Sequence, residues 1–572
     1  MLRSPVISAV TLLLAAAWPI VGQAGKPDGP AHHETSKSKG KSKTEQAHSQ
    51  KSKKAKGHDR SRHEAPVHEP DDTAPREVKN ASDPREQRIG QLRQHLEELL
   101  HEKPLSRTRI GVTVLDARDG DVLYAHNADR LFNPASNTKI LTTAAALEEL
   151  GGNYHYKTQL RGPEPDEAGV IQGSVELRGA GDPSLTTQGL ADLARDAAAR
   201  GITRIEGDVL ADGKFRDPAS ASHGGEPLGG GALILNRNVY TVHVRPTEPR
   251  HNAVVTVEPY SPEYFTVESK VTTVPGRRTR LRLDAYRRDG KFVVVAKGRI
   301  NPKADVKLKE HLGDGSLYAA ATLRRALLDY GIEVTGSIKS GGLPADAPVL
   351  AEHGSIPLAE ICRVSNKDSN NFVADAIFKT LGREKFGGAA TLQKGARAVE
   401  ELLAPMGLGP GLMKIVNGSG LTHENRVQPL AFVKLLRSLY FDLAVAPDFL
   451  TSLAVGGIDG TIRNRFHGDM VGRVRAKTGT LSNVSALSGY VGDAGEVLIF
   501  SILVDNFHHR SLEEIRHAQV SLVREMMAYV RAGKEGAGKP GAVKPGDDKV
   551  PLEWDDGDTG DDVEDPEASS GN

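Results

Sequence analysis

The sequence predicts a mixed α/β (α+β) protein, on three observations. Amphipathic helical patterns flank a middle region, residues 156–350, where short strand-like runs dominate. The tight-turn pair Asp119-Gly120 joins two alternating strand patterns, which indicates an antiparallel hairpin. The run 497–504 is continuously apolar, as expected for a strand in a sheet that is covered on both faces.

Composition indicates a globular part diluted by disordered segments. Hydrophobic residues make up 38% of the 572 residues, beside 60 glycines and 32 prolines. The length suits about two to four domains. The one cysteine, Cys362, excludes an intramolecular disulfide framework, and its apolar neighbours favour a small buried side chain over a catalytic thiol.

Residues 1–24 have the pattern of a secretory signal peptide, with a basic start, an apolar run and small residues suited to cleavage. We therefore expect a secreted protein that is periplasmic or associated with the cell envelope. No later stretch approaches about 18 consecutive apolar residues, so no transmembrane segment is expected in the mature chain.

Both ends of the chain are low in complexity. Residues 25–85 are predicted to be a disordered basic linker, and residues 532–572 a disordered acidic tail. The lysines of the linker suit peripheral contact with an anionic wall polymer or a lipid surface. Its histidines are irregularly spaced, which favours a solvated segment over a metal site.

The ordered part is predicted to begin near Asp83, with a helix over 89–100 and a hairpin over 110–124. A second helix is predicted to begin at Asn133 as its N-cap, with Pro134 in the first helical position. Further helices are predicted at 190–200, 317–330, 356–381, 430–443 and 512–530, and strands at 173–179, 254–257, 281–283, 292–295, 472–479, 487–491 and 497–504.

Ser136 and Lys139 stand three residues apart at the start of the second predicted helix, so both side chains project from one side. A serine hydroxyl is a weak nucleophile until a base takes its proton, and an amine of lowered pKa can be that base. The partial positive charge at a helix N-terminus favours an alkoxide there. By itself, the pair is a weak signal, and an ordinary surface helix start is the favoured interpretation.

Two further segments carry residues suited to act with this pair. Ser369-Asn370-Asn371 precedes an amphipathic helix, and Lys477-Thr478-Gly479-Thr480 closes a predicted strand, where glycine lets a ligand backbone lie close. Each segment also has a purely structural interpretation: the first can be a helix N-cap, and the second can be an ordinary strand end. The order Ser-x-x-Lys, Ser-x-Asn, Lys-Thr-Gly, each in its local context, favours a catalytic constellation.

With these motifs the sequence resembles the penicillin-binding-protein/serine β-lactamase superfamily, and more closely the class C low-molecular-mass D-alanyl-D-alanine carboxypeptidases, the S13 peptidases. The resemblance covers roughly residues 89–531. The 233 positions from Ser136 to Ser369 (369 − 136) exceed the gap in compact β-lactamases and are typical of the class C insertion. Asn370 is a mild departure, because many relatives have aspartate there. Further similar segments are 179–185, 232–238, 417–421 and 457–461.

The resemblance implies a transpeptidase-like fold with an antiparallel sheet between helices. It also implies a DD-peptidase catalytic domain made of residues 86–155 and 351–531. Mostly β inserted subdomains would occupy residues 156–350.

The resemblance also implies roles for the first two motifs. Ser136 would attack the carbonyl of the penultimate D-Ala and form an acyl-enzyme, with Lys139 as the base. Ser369 would relay the proton to the leaving amine. Asn371 would hold Lys139 and the substrate amide.

In the third motif, Lys477 would recognise the terminal carboxylate and keep Lys139 neutral by like-charge repulsion. Thr478 and Thr480 would donate hydrogen bonds to that carboxylate, next to Gly479. The backbone N–H groups of Ser136 and Thr480 would form the oxyanion hole. No metal and no other cofactor is expected.

The predicted function is that of a serine D-alanyl-D-alanine carboxypeptidase acting on peptidoglycan, and the sequence leaves open whether it also acts as a DD-endopeptidase. Stem peptides and covalently bound β-lactams are the expected partners, and nucleic acid is not. Two alternatives stay open: a β-lactamase-like hydrolase or esterase with fast deacylation, and a wall-binding protein with a vestigial site. The sequence leaves the oligomeric state undetermined.

Overall fold

The computed structural model describes residues 83–212, 231–493, 495–508 and 511–536. The predicted signal peptide, nearly all of the basic linker and most of the acidic tail lie outside these residues. The helices are α1 Pro84–His101, α2 Thr138–Leu150, α3 Thr187–Ala199, α4 Ser316–Asp329, α5 Leu358–Lys367, α6 Asn371–Phe386, α7 Leu392–Leu403, α8 Pro429–Phe441, α9 Ala446–Ser452 and α10 Leu512–Gly536.

The strands lie between these helices along the chain and are numbered in chain order. They are β1 Arg109–Asp116, β2 Val122–His126, β3 Lys157–Arg161, β4 Val170–Ile171, β5 Val175–Arg178, β6 Arg204–Ile205, β7 Val209–Ala211, β8 Val239–Arg245, β9 Val254–Glu258, β10 Phe265–Thr273, β11 Arg280–Arg288, β12 Lys291–Ile300, β13 Val306–His311, β14 Glu333–Val334, β15 Ile338–Ser340, β16 Val349–Gly354, β17 Met413–Lys414, β18 Arg426–Val427, β19 Ala454–Val455, β20 Val474–Leu481, β21 Val484–Asp493 and β22 Glu496–Asp505.

The main sheet has the strand order β19-β20-β21-β22-β1-β2, and every neighbouring pair is antiparallel. Its central strand β22 is apolar on both faces, because Ile499 and Leu503 pack into one core cluster whereas Phe500 and Ile502 pack into another. Helices α1 and α10 cover the second face, and α2 and α8 belong to the cluster on the first. The predicted α+β class, with an antiparallel sheet between helices, is confirmed.

Helix α2 lies deep in the core. All residues from Thr138 to Leu147 are buried, and the helix packs against α5, α6, α7 and α9. A helix whose every face is covered by protein is typical of the centre of a large core. The first turn of α2, which carries Lys139, is therefore held on all sides.

The middle of the chain forms its own apolar cluster, with members from Leu160 to Ala351. It contains the five-stranded sheet β15-β7-β5-β3-β16 and three-stranded sheets such as β10-β12-β11 and β13-β8-β9. Helices α3 and α4 pack on each other beside these sheets. The division of the chain into a catalytic domain and inserted subdomains at 156–350 stays a prediction.

The second predicted helix begins later than expected. Its predicted start at Asn133 and Pro134 is wrong, because residues Ala135–Asn137 form a 3₁₀ turn and α2 begins at Thr138. Ala135 has φ = +45°, in the left-handed region, which no α-helix interior accommodates. Ser136 therefore lies on a tight turn just before α2.

The ends of the described chain also differ in detail from the prediction. Helix α1 begins at Pro84, inside the segment predicted as linker, because Asp83 caps it through the Arg85 N–H. Helix α10 continues to Gly536, past the predicted start of the tail at residue 532. Helices α7 and α9 were not predicted. In the described part of the chain, no helix is long and apolar enough to span a bilayer.

Candidate active site

The turn that carries Ser136 is anchored on both sides. Asn133 Oδ1 accepts a hydrogen bond from the Ala135 N–H at 2.8 Å, and Thr138 Oγ1 donates to the Ala135 carbonyl oxygen at 2.8 Å. Asn137 Nδ2 donates to Ser488 Oγ on β21, also at 2.8 Å. These bonds hold the strained φ of Ala135 and leave the partly exposed Ser136 facing outward.

Lys139 places its amine beside the Ser136 hydroxyl. Lys139 Nζ lies 3.0 Å from Ser136 Oγ, 2.8 Å from Asn371 Oδ1 and 2.6 Å from the Ser419 carbonyl oxygen. The side chain is fully buried. Three oxygen neighbours fix the position of this buried amine, so the fold itself holds Lys139 Nζ against the Ser136 hydroxyl.

Ser369 lies at the entrance to α6 with φ = +56°, in the left-handed region. Asn370 is the N-cap of that helix, since its Oδ1 accepts from the Val373 N–H at 2.9 Å. The side chain of Asn370 is thus engaged with the helix, and its neighbours Ser369 and Asn371 face the lysines. This geometry accounts for the tolerance of asparagine in the middle of the motif.

Lys477 is the second fully buried lysine of the site. Its Nζ donates to Ser369 Oγ and to the Thr478 carbonyl oxygen, both at 2.8 Å. Burial lowers the pKa of Lys477 well below its usual value, and the neighbouring charge of Lys139 lowers it further. The two lysines therefore disfavour each other's charged form.

Strand β20 offers an open edge next to Ser136. Strand β19 pairs only with Arg475 and Ala476 in the described chain, so the segment from Lys477 to Leu481 has β21 on one side and the cleft on the other. Gly479 permits close approach, since a Cβ there would lie 2.9 Å from the Ser136 nitrogen. An extended peptide can pair with such an edge as an added strand.

The eight predicted site residues thus come together around one cleft of about 780 Å³. Ser136, Ser369, Thr478 and Thr480 line it. Lys139, Asn371 and Lys477 stand behind them through the hydrogen bonds above, and Gly479 abuts the Ser136 nitrogen. No group of three or more His, Cys, Asp or Glu residues within the described ranges is placed to hold a metal ion.

Three neighbours of the site were not among the predicted residues. The Ser419 carbonyl accepts from Lys139, Asp375 Oδ1 accepts from the Ser419 N–H at 3.0 Å, and Thr461 Oγ1 accepts from Thr478 Oγ1 at 2.8 Å. Ser419 and Thr461 lie in the segments 417–421 and 457–461, for which the family resemblance predicted no role. Asp375 carries no signal of its own, because it stands inside an ordinary helical pattern.

Comparisons with known proteins identify the family of the chain. The family described as the D-Ala-D-Ala carboxypeptidase 3 (S13) family matches residues 92–526, well over half of the chain. The chain belongs to this family. This S13 peptidase is therefore a hydrolase of the D-Ala-D-Ala carboxypeptidase class.

Individual relatives cover most of the S13 peptidase. The D-alanyl-D-alanine carboxypeptidase of Actinomadura sp. (strain R39) is 33% identical over 448 residues, which are 74% of this chain and 82% of that protein. Penicillin binding protein 4 of Haemophilus influenzae superposes with a TM-score of 0.62 at 23% identity, over 75% and 98% of the two chains. Its structure complexed with a β-lactam gives 0.60 at 24% identity, over 77% and 99%. These superpositions show the shared fold.

Proposed function

We propose that Ser136 is the acylated nucleophile with which this enzyme removes the terminal D-Ala from peptidoglycan stem peptides. The observation that carries the proposal is the 3.0 Å contact between Lys139 Nζ and Ser136 Oγ, inside a site that excludes bulk water from the amine. A serine next to a buried amine is the arrangement that nucleophilic catalysis needs.

In acylation, Lys139 acts as the base. A neutral amine donates its two N–H groups to Asn371 Oδ1 and the Ser419 carbonyl, and turns its lone pair to Ser136 Oγ. The hydroxyl proton passes to Lys139 Nζ while Oγ bonds to the carbonyl carbon of the penultimate D-Ala. The developing oxyanion lies near the Ser136 N–H, which Gly479 keeps accessible.

Lys477 and Ser369 serve the leaving amine. Ser369 Oγ accepts from Lys477 Nζ, so its own hydrogen points elsewhere and can pass to the nitrogen of the departing D-Ala. One of the two lysines, Lys139 or Lys477, then returns a proton to Ser369 Oγ. Water later attacks the acyl-enzyme, and the same groups act in reverse to release the shortened peptide and restore Ser136.

The terminal carboxylate of the substrate binds at the third motif, Lys477-Thr478-Gly479. The hydroxyls of Thr478 and Thr480 line the cleft at the open edge of β20, with the buried amine of Lys477 behind them. On substrate binding, Thr478 would turn its hydrogen from Thr461 Oγ1 to the carboxylate. Hydrogen bonds from hydroxyls near a positive charge suit a terminal carboxylate. Alignment of the peptide along β20 brings its penultimate carbonyl to Ser136.

The same site suits β-lactams, because their strained amide and nearby carboxylate follow the pattern of the D-Ala-D-Ala terminus. We infer covalent acylation of Ser136 by penicillin. We also infer that the enzyme is secreted, acts in the periplasm or at the cell envelope, and uses its lysine-rich segment at 25–85 for contact with anionic wall polymer or lipid.

Mass spectrometry and a fluorescent penicillin test the proposal together. The wild-type protein should release D-Ala from a D-Ala-D-Ala pentapeptide and carry the label on the peptide that contains Ser136. Ser136→Ala should lose both signals, while Ser340→Ala, at an exposed serine on β15, should retain them. Label or D-Ala release that survives in Ser136→Ala would overturn the assignment.

A further inference from the structure

The active-site cleft continues past Thr480 into a basic extension. One wall belongs to the loop that follows Thr461, and the other to helix α10. We call the three arginines of this extension the arginine arm. Its members are Arg465, Arg516 and Arg524.

Charge in the arm is unbalanced. Among the described residues that line the cleft, the three arginines face one carboxylate, that of Glu513, and His467 and His517 stand beside them. Glu513 pairs with Arg516 within α10. Arg524 is exposed, with no ion pair in the described chain. The extension therefore has a surplus of positive charge that an anion would complement.

Arg465 is the member most in need of an anion. Its Nη2 donates to the Arg516 carbonyl oxygen at 3.2 Å and to Gln519 Oε1 at 3.0 Å, and Nε is buried without a hydrogen-bond partner. No ion pair of the described residues includes Arg465. Burial and the neighbouring Arg516 lower its pKa to about 10, so it stays charged at neutral pH. Arg465 is half-buried, and the one carboxylate that opposes the lowering of its pKa, that of Glu513, is already paired with Arg516, so a bound anion would offset the cost of its burial.

The arm is connected to the proposed carboxylate site. Arg516 Nη2 lies 3.4 Å from Thr480 Oγ1, so the arm begins where the carboxylate of the leaving residue would sit. A free D-Ala leaving group ends at that carboxylate. A cleft of about 780 Å³ has room for considerably more than one alanine.

We propose that the arginine arm binds a second carboxylate, carried by the leaving strand of a peptide cross-link. This inference rests on the proposed function and adds a specificity for substrates whose leaving group is an acidic peptide. Because a single D-Ala has no second carboxylate, the arm lowers the barrier for cross-link cleavage and leaves the trimming of monomeric stems unaffected. Arginine suits this task, since its planar fork can bind a carboxylate through two parallel hydrogen bonds.

The test compares two substrates in matched arginine variants. Arg524→Gln and Arg465→Gln should each lower kcat/KM for a cross-linked muropeptide dimer about tenfold, the effect of one lost charge-assisted contact. Release of D-Ala from the monomeric pentapeptide should stay within about twofold. The control is Arg531→Gln, on the same helix but paired with Asp469 outside the cleft. It should leave both rates unchanged.

A chemically modified substrate identifies the group that is bound. The wild-type enzyme should cleave a dimer in which only the second leaving-strand carboxylate is amidated, with the carboxylate next to the scissile bond left free, about tenfold more slowly than the free acid, and Arg524→Gln should cleave both dimers at the same low rate. Equal loss on monomer and dimer, or no loss on either, would overturn the inference while D-Ala release by the wild type upholds the proposed function. A wild-type protein that neither releases D-Ala nor takes up penicillin would instead overturn the proposed function itself. Since Arg524 is exposed, its variant is expected to fold normally.

Discussion

Asp375 Oδ1 accepts a hydrogen bond from the backbone N–H of Ser419 at 3.0 Å, and the carbonyl oxygen of the same Ser419 accepts a hydrogen bond from Lys139 Nζ. The same carboxylate oxygen accepts from the Gly418 N–H at 2.9 Å. Asp375 is fully buried on α6, and burial raises its pKa although these N–H groups and the nearby lysines oppose the shift. It thus fixes the loop that positions the amine of Lys139.

Replacement of Asp375 by alanine should therefore disturb acylation from a distance. Loss of the acceptor leaves two buried N–H groups unsatisfied, and each costs about 1–3 kcal/mol of unfolding free energy. We expect penicillin acylation to slow by about tenfold or more, because the Ser419 carbonyl no longer holds Lys139 in line. Stopped-flow labelling and denaturant titration measure the two effects.

Asp375→Asn is the matched control for this prediction, because its amide oxygen can still accept both N–H groups. It should recover most of the stability and most of the acylation rate. If the asparagine and alanine variants are equally slow, Asp375 acts through its charge rather than by positioning the loop.

Lys477→Met should separate stability from activity. The methionine removes a fully buried amine whose charged form burial disfavours, so the free energy of unfolding should rise, while acylation should fall by about 10²-fold or more through loss of the amine behind the proposed carboxylate site. Calorimetry and penicillin labelling provide the readouts. A variant that is less stable and fully active would contradict both halves of the prediction.

The pH dependence of stability gives an independent check on Lys477. Its folded-state pKa is lowered, so the unfolded chain binds more protons between that value and the ordinary lysine pKa near 10.5. Its contribution to the free energy of unfolding therefore increases as pH rises through this window, and is least favourable below it. Lys477→Met should remove this component, and the difference between wild type and variant should shrink as pH rises.

Much of the fold could be predicted from local patterns. The hairpin of β1 and β2, the apolar strand β22 and the helices α1 and α10 all follow from periodicity and turn residues. The three motifs could be recognised from their order because each one carries its chemistry in side chains. Local sequence is sufficient to predict a helix or strand whose residue pattern does not depend on contacts with other elements.

The remaining features depend on tertiary contacts. The late start of α2 follows from the φ of Ala135, which its N–H stabilises by donating to Asn133 Oδ1 and which no helix propensity predicts. The Ser419 acceptor is a backbone atom, so its residue type gives no signal. Arg516 reaches the cleft because α10 packs on β21, a relationship that depends on the sheet order.

Gly479→Ala should obstruct the proposed oxyanion site and lower the stability of the protein, which should still fold. The added Cβ would lie 2.7 Å from the Pro134 carbonyl oxygen and 2.9 Å from the Ser136 nitrogen, both backbone atoms that cannot yield easily. We expect acylation to fall by about 10²–10³-fold, the effect of losing one oxyanion donor. Gly354→Ala, where a Cβ meets nothing within 4 Å, is the control and should acylate normally.

Asn370 tests the role of the central motif residue. Asn370→Asp keeps the cap on the Val373 N–H and adds a negative charge at the N-terminus of α6, so stability should rise by about 0.3–1 kcal/mol with acylation unchanged. Asn370→Ala loses the cap and should cost about 1 kcal/mol, and acylation should slow because Ser369 and Asn371 lose their fixed placement. Thermal unfolding and penicillin labelling of the three proteins measure both effects. Impaired acylation in Asn370→Asp, with stability maintained, would mean that the central residue takes part in the chemistry and is more than a helix cap.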